Sequence, residues 1–168
     1  MSDYQSSGGG EFRKVMGQFA TGVALVSTWD SAGRAYGLTV NAFTSVSLQP
    51  MLVLICLENS VAALEALRKR RTFGLCMLTE EQEEISNHYA TKMTDRTQYL
   101  TRVGETGVPL LEESLASLEC QVSEFYPGGD HVIVLAEVKA MEMAGAKSGK
   151  RPLLFFQGKY RRIPEALS

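Results

Sequence analysis

Clustered metal ligands, phosphate-binding glycine motifs and long apolar runs are all missing from this chain of 168 residues. The three cysteines, Cys56, Cys76 and Cys120, form no CxxC, and His88 and His131 form no HxxxH, which leaves zinc without its usual clustered ligands. An odd number of cysteines inside apolar runs (LVLICLE, FGLCML, LECQV) predicts reduced, buried thiols in a cytoplasmic protein. No GxGxxG follows a strand-like run and no GxxxxGKS/T occurs, which argues against Rossmann and P-loop sites. There is no basic start leading into an apolar run, and no apolar window reaches the roughly 20 residues of a membrane helix. A net charge of -2, with 21% charged residues, supplies no basic surface, so neither nucleic acid nor membrane is an expected partner.

What remains is ordinary for one soluble domain, with 45% hydrophobic residues and enough length to bury a core unaided. Residues 1–10, ending in SSGGG, read as a flexible leader, and residues 11–168 as the domain. EFRKVMGQFA places Phe12, Val15, Met16 and Phe19 at helical spacing, and TGVALVSTWD then turns to strand composition. Asp30, Ser31 and Gly33 mark a hairpin turn, and MLVLICLE is an apolar run of strand length. Ser60 is a candidate cap for a helix through VAALEALRKRR, whose basic last turn suits the helix dipole. Thr79 and Gln82 form a capping-box pair for a second helix running to about Ala90. TKMTDRTQYLTRVGETGVP reads as a polar surface excursion, and SLECQVSEFYP and DHVIVLAEVKAMEM as long strands joined by a turn at Pro127 to Gly129. The expected class is strand-rich α+β, mainly antiparallel β with a few short helices, as in a barrel.

One segment is chemically unusual. In GLTVNAFTSVSLQP, Leu38, Val40, Ala42, Val46 and Leu48 alternate with Thr39, Asn41, Phe43, Ser45 and Ser47, which predicts an extended strand. Its polar parity carries no charge at all. Such a face serves either as the solvated side of a sheet or as a set of neutral donors for the edge of a planar heterocycle, with hydroxyls at Ser45 to Ser47 able to hold a phosphate. GGDH places His131 directly after a tight turn, with Asp130 beside it to set its tautomer. Lys92, Arg96 and the run RKRR at Arg68 to Arg71 read first as solvated charges, with phosphate pairing as the alternative.

From about Phe12 to Tyr160 the chain resembles the short-chain flavin reductases, the reductase components of two-component flavin-dependent monooxygenases. The matching segments are FRKVMGQFATGVALVST, GLTVNAFTSVSLQP, NSVAALEALRKRRTFGLCML, GVPLLEESLASLECQV, GGDHVIVLAEV and PLLFFQGKYRR. The styrene-monooxygenase type is especially similar at TVNAFTSVSL and PLLFF. The resemblance implies an FMN-binding split β-barrel, a homodimer with flavin near the subunit interface, and hydride transfer from NADH or NADPH to FAD or FMN, with reduced flavin released to a partner monooxygenase. It places Thr39, Val40, Asn41, Ala42, Ser45, Val46 and Ser47 around the flavin, completed by Glu58, Asn59 and Ser60. Ser86, Tyr89, Ala90 and Lys92 match the helix end at the flavin's phosphate side, His131 the histidine beside the nicotinamide, and Tyr160 a residue closing the same region. Pro50-Met51 stands where many relatives have Pro-Pro, and Tyr89 where many have Phe. The rival from another class is a barrel that holds flavin or heme for storage or sensing without turnover.

Overall fold

In the computed structural model, which describes residues 4–91, 98–144 and 149–164, the chain opens with α1 (Tyr4–Met16), β1 (Thr21–Gly22), β2 (Ala24–Trp29) and β3 (Ala35–Val40). β4 (Phe43–Leu48), β5 (Met51–Glu58), α2 (Ala62–Arg70) and β6 (Thr72–Met77) follow. A 3-10 turn at Glu80–Gln82 leads into α3 (Glu83–Ala90), and the short β7 (Arg102–Val103) and β8 (Pro109–Leu110) pair with each other. The long hairpin β9 (Ala116–Gly128) and β10 (His131–Met143) comes next, and β11 (Leu154–Phe156) with β12 (Lys159–Arg161) closes the described chain. Seven strands form one antiparallel sheet in the order β3-β2-β6-β9-β10-β5-β4, and β1, β11 and β12 form a smaller one. The fold is mainly antiparallel β with few helices, as the alternation and turn spacing predict.

The central strands are covered on both faces, and their sequence shows it. Side chains along a strand alternate between faces. In β2, Ala24 and Val26 enter one core with Phe73, Leu75, Val134 and the α2 residues Leu64 and Leu67, while Leu25 enters a second core with Cys76, Leu78, Tyr89 and Leu153. In β10 only Val132, Val134, Ala136 and Val138 are buried, the one-sided alternation of a sheet with one covered face. Leu67 is fully enclosed, and burying a side chain of this size contributes about 2 kcal/mol.

Four local expectations change in the folded chain. α1 begins at Tyr4, inside the segment read as a leader, although a Cβ added at Gly8, Gly9 or Gly10 meets nothing within 4 Å. α2 starts after Val61, not after Ser60, because the Ser60 hydroxyl donates to Glu58 Oε2 at 3.2 Å and so does not reach the helix amides. The polar excursion is not merely surface: Leu100 and Val108 within it are buried in the second core beside Leu110 and Leu111, which follow it, and Glu119 accepts the backbone N–H groups of Glu105 and Thr106. Burial opposes ionisation of Glu119, but the Thr106 hydroxyl and those amides outweigh it and hold the carboxyl below its ordinary range. The β9–β10 turn is Gly129-Asp130, with Pro127 and Gly128 still paired to Val132 and His131. The Thr79 box forms as read, with its N–H donating to Gln82 Oε1 at 3.0 Å.

Candidate functional site

GLTVNAFTSVSLQP is two strands rather than one. The chain leaves β3 after Val40 and enters β4 at Phe43, and these consecutive strands occupy opposite edges of the sheet order. At the crossing the Ala42 carbonyl accepts the N–H of Cys56 at 2.9 Å, which ties the departing chain to β5. β10 pairs with β5 so that His131 lies opposite Glu58 on one side and Gly128 on the other. These pairings bring the end of β3, the β5 terminus and the hairpin mouth around one cavity of about 260 Å³, lined by residues 38–42, 56–58, Ala90 and His131.

Electrostatics around the cavity is nearly neutral. Thr39 donates its hydroxyl to the Ser86 carbonyl at 2.7 Å, fastening β3 to α3, and the Asn41 amide makes only a long 3.4 Å contact to Thr21. Glu58 and His131 are the ionisable side chains on the wall besides the Cys56 thiol, whose pKa burial raises, keeping it protonated near neutrality. His131 Nδ1 lies 2.7 Å from Asp130 Oδ1, and the hydrogen bond and charge of His131 hold the Asp130 carboxyl below its usual range. An ionised carboxylate only accepts, so Nδ1 carries the proton and Nε2 is left for a ligand. His88 is the opposite case, packed edge-on against Tyr89 and Tyr99 at 4.9 and 5.3 Å between ring centres.

Of the residues singled out in sequence, Thr39, Val40, Asn41, Ala42, Glu58, Ala90 and His131 meet at this cavity. Others lie elsewhere. Ser45, Val46 and Ser47 run along the exposed edge strand β4, where a register shift interrupts pairing between Ser45 and Ser47. Asn59 turns away and donates to the Gly129 carbonyl at 3.1 Å, and Ser60 caps nothing but Glu58. Tyr89 is fully buried against Gly37, where an added Cβ would sit 2.4 Å from its ring, so it serves the core. Ser86 is also buried, and its hydroxyl meets Tyr160 Oη at 2.7 Å behind β3. Lys92 and Arg96 fall outside the described residues. Leu38, Cys56 and Leu57 line the cavity without having been singled out; the pairing of β5 with β10 is what places them, and only the apolar run hinted at it. Among the described residues no group of His, Cys, Asp and Glu is placed to hold a metal, and no helix is long and apolar enough to cross a membrane.

Residues 16–164 match the family described as the flavin reductase like domain. The chain belongs to the flavin reductase family. A protein named a probable flavin reductase in Rhizobium meliloti (strain 1021) is 39% identical over 79% of this flavin reductase chain, which spans only 43% of that protein. The NADH-dependent flavin reductase StyB of Pseudomonas fluorescens is 33% identical, over 94% of this chain and 91% of its own. Among solved structures, the Streptomyces globisporus NADH:FAD oxidoreductase SgcE6, in complex with NAD and FAD fragments, superposes with a TM-score of 0.87 and 34% identity, over 100% of this chain and 99% of that one.

The flavin reductase cavity suits the group its family implies. Its wall offers mostly uncharged donors and apolar surface, one imidazole with a free nitrogen and a single carboxylate, Glu58, a set with which the edge of a redox-active heterocycle is compatible. At about 260 Å³ it lies under the roughly 300 Å³ at which complete ligand sites begin, so it is too small to enclose a whole flavin. A second, more apolar cavity of about 450 Å³ shares Val40 and Asn41 as its wall and is bounded by Phe19 and Phe43.

Proposed function

We propose that this protein is an NAD(P)H:flavin oxidoreductase, built as a homodimer of split β-barrels, that supplies reduced FAD or FMN by diffusion to a flavin-dependent monooxygenase. One observation carries the reading: Thr39 to Ala42, from the neutral stretch, share a single cavity with the buttressed His131. The relatives support it, since StyB is named as NADH-dependent and SgcE6 as an NADH:FAD oxidoreductase, whereas the storage or sensing alternative gains nothing from them. NADH is therefore the nucleotide of choice. Phe12, Val15 and Met16 on α1, and Leu48 and Met51 at the β4–β5 turn, are exposed apolar side chains that a second copy would cover. Burial pushes Cys76 to about 11 and Cys120 to about 12, which keeps both thiols inert and suits a cytoplasmic protein.

Bound flavin supplies the ring atom that accepts hydride from the nicotinamide. The chain's own work is to hold two flat rings together and exclude water, which requires position more than proton transfer. Asp130 keeps the His131 ring in one tautomer, and Nε2 orients the incoming ligand. Anaerobic stopped-flow mixing with FAD or FMN and with NADH or NADPH tests the proposal. Rapid bleaching of the flavin band is expected, slowed about tenfold in His131→Ala, which corresponds to about 1.4 kcal/mol of barrier. Flavin that binds yet stays oxidised with both nucleotides returns the chain to the storage reading, and an unchanged rate in the variant removes the role of His131.

A further inference from the structure

The cavity at His131 is lined by one carboxylate and, among the described residues, by no lysine or arginine. The carboxylate is Glu58. It lies directly opposite His131 in the β5–β10 pairing, and side chains opposite each other on neighbouring strands share a face. Both therefore look into the same space as Cys56, two residues back along β5. Glu58 enters no ion pair among the described residues, and its side chain accepts one hydrogen bond there, from the Ser60 hydroxyl to Oε2 at 3.2 Å. Asp130, the neighbouring carboxylate, is a different case. Its charge is answered by the His131 ring at 2.7 Å and, at longer range, by Arg13 of α1. The uncompensated charge on this wall is negative, and it belongs to Glu58.

A fixed charge discriminates between ligands that differ in charge. Hydride carries two electrons and one proton, so its transfer from NADH leaves NAD+ and turns the uncharged flavin ring into an anion. Nothing on the described wall is set to add the second proton that would neutralise it: Asp130 is ionised, and with the proton on Nδ1 the His131 Nε2 is an acceptor. We propose that Glu58 makes this cavity bind reduced flavin more weakly than oxidised flavin, so that reduction itself drives the product out toward the partner oxygenase. This assignment rests on the reductase reading above. By linkage, the same charge holds the reduction potential of bound flavin below that of free flavin, because a site that prefers the oxidised form stabilises it. Glu58 is exposed, and water screens its charge until a ligand covers it, so a discrimination of about fivefold is expected.

The test uses the whole chain with FMN under anaerobic conditions and dithionite as reductant, so it needs no nicotinamide nucleotide. In the parent, Kd for reduced FMN should exceed Kd for oxidised FMN. Glu58→Gln keeps the side-chain length and an acceptor for Ser60 while removing the charge. In that variant Kd for reduced FMN should fall about fivefold and Kd for oxidised FMN should change less than about twofold. The potential of the bound flavin should rise by about 20 mV, the two-electron equivalent of fivefold. Glu58→Asp, which keeps the charge, should keep the parent's preference. Thermal melts confirm that the variants are folded. A parent that binds reduced FMN as tightly as oxidised FMN overturns the proposal, and so does an unchanged ratio in Glu58→Gln. Equal tightening of both forms in Glu58→Gln also overturns it, because Glu58 would then face the flavin phosphate, whose charge reduction does not alter. A parent that binds neither form removes the proposal with the flavin site. Mixing with NADH is a separate measurement: bound flavin that NADH leaves oxidised sinks the reductase reading, while the two Kd values still decide whether Glu58 sets the preference.

Discussion

Leu38 to Ala42 and Thr44 to Ser47 are written in the same neutral alphabet, yet one segment builds a cavity and the other edges the sheet. The first ends β3, is backed by α3 through the Thr39 bond to Ser86, and faces Ala90 and His131. The second lies on β4, an outermost strand, where Ser45 and Ser47 sit at a pairing irregularity and Leu48 is 86% exposed. Composition is equal on both sides of Phe43, and β3 and β4 are both edge strands, so the difference comes from what packs against each edge. A segment acquires a site when other elements converge on it, as α3 and the β9–β10 hairpin mouth do on the end of β3, whereas β4 runs exposed beside β5.

Four substitutions test this contrast. The largest effect is expected behind the first segment, in Gly37→Ala. The new Cβ would lie 2.4 Å from the ring of Tyr89, which is fully buried and has nowhere to move. Overpacking of this kind costs up to about 3 kcal/mol, read as a lower urea midpoint at constant slope. A midpoint equal to the parent's would show that Tyr89 and α3 do not brace β3. Ala42→Leu comes second, because it fills the cavity without touching either core. FMN affinity, followed by fluorescence quenching, should fall about tenfold, or 1.4 kcal/mol, and normal affinity would place the flavin elsewhere. The smallest effect belongs to the second segment. Ser45→Ala and Ser47→Ala should shift stability by no more than about 0.5 kcal/mol and leave flavin affinity within about twofold, and a larger loss of affinity would erase the contrast.

Much of this architecture was legible in the sequence for local reasons. The turn at Asp30 and Gly33 is built from the carboxylate accepting the N–H groups of Ala32 and Arg34, both at 2.8 Å, and from φ +77 at Gly33, so short-range chemistry sufficed. The Thr79 and Gln82 box is equally local. Ser60 misled because its hydroxyl had a nearer acceptor in Glu58, a competition that cap preference does not weigh. Tyr89 and Ser86 look like polar ligands at a helix end, but helical phase turns them inward, onto Gly37 and Tyr160. Asn59 points away from the cavity at His131 because the Gly129 carbonyl in the β9–β10 turn claims its amide. Its partner lies 70 residues away, in the turn of another hairpin, and no local pattern announces that.

By itself the sequence determined the element types, the absence of clustered metal ligands and glycine-rich phosphate loops, the family, and a neutral strand followed much later by a histidine on a tight turn. Each of these follows from residue chemistry and short spacing, which persist before folding. Only the tertiary structure decided which half of the neutral strand meets His131, and that Glu58 stands beside it in register. The physical reason is that strand order and register are set by burying two cores at once. A site assembled from β3, β5 and the β9–β10 turn exists only after that global choice is made.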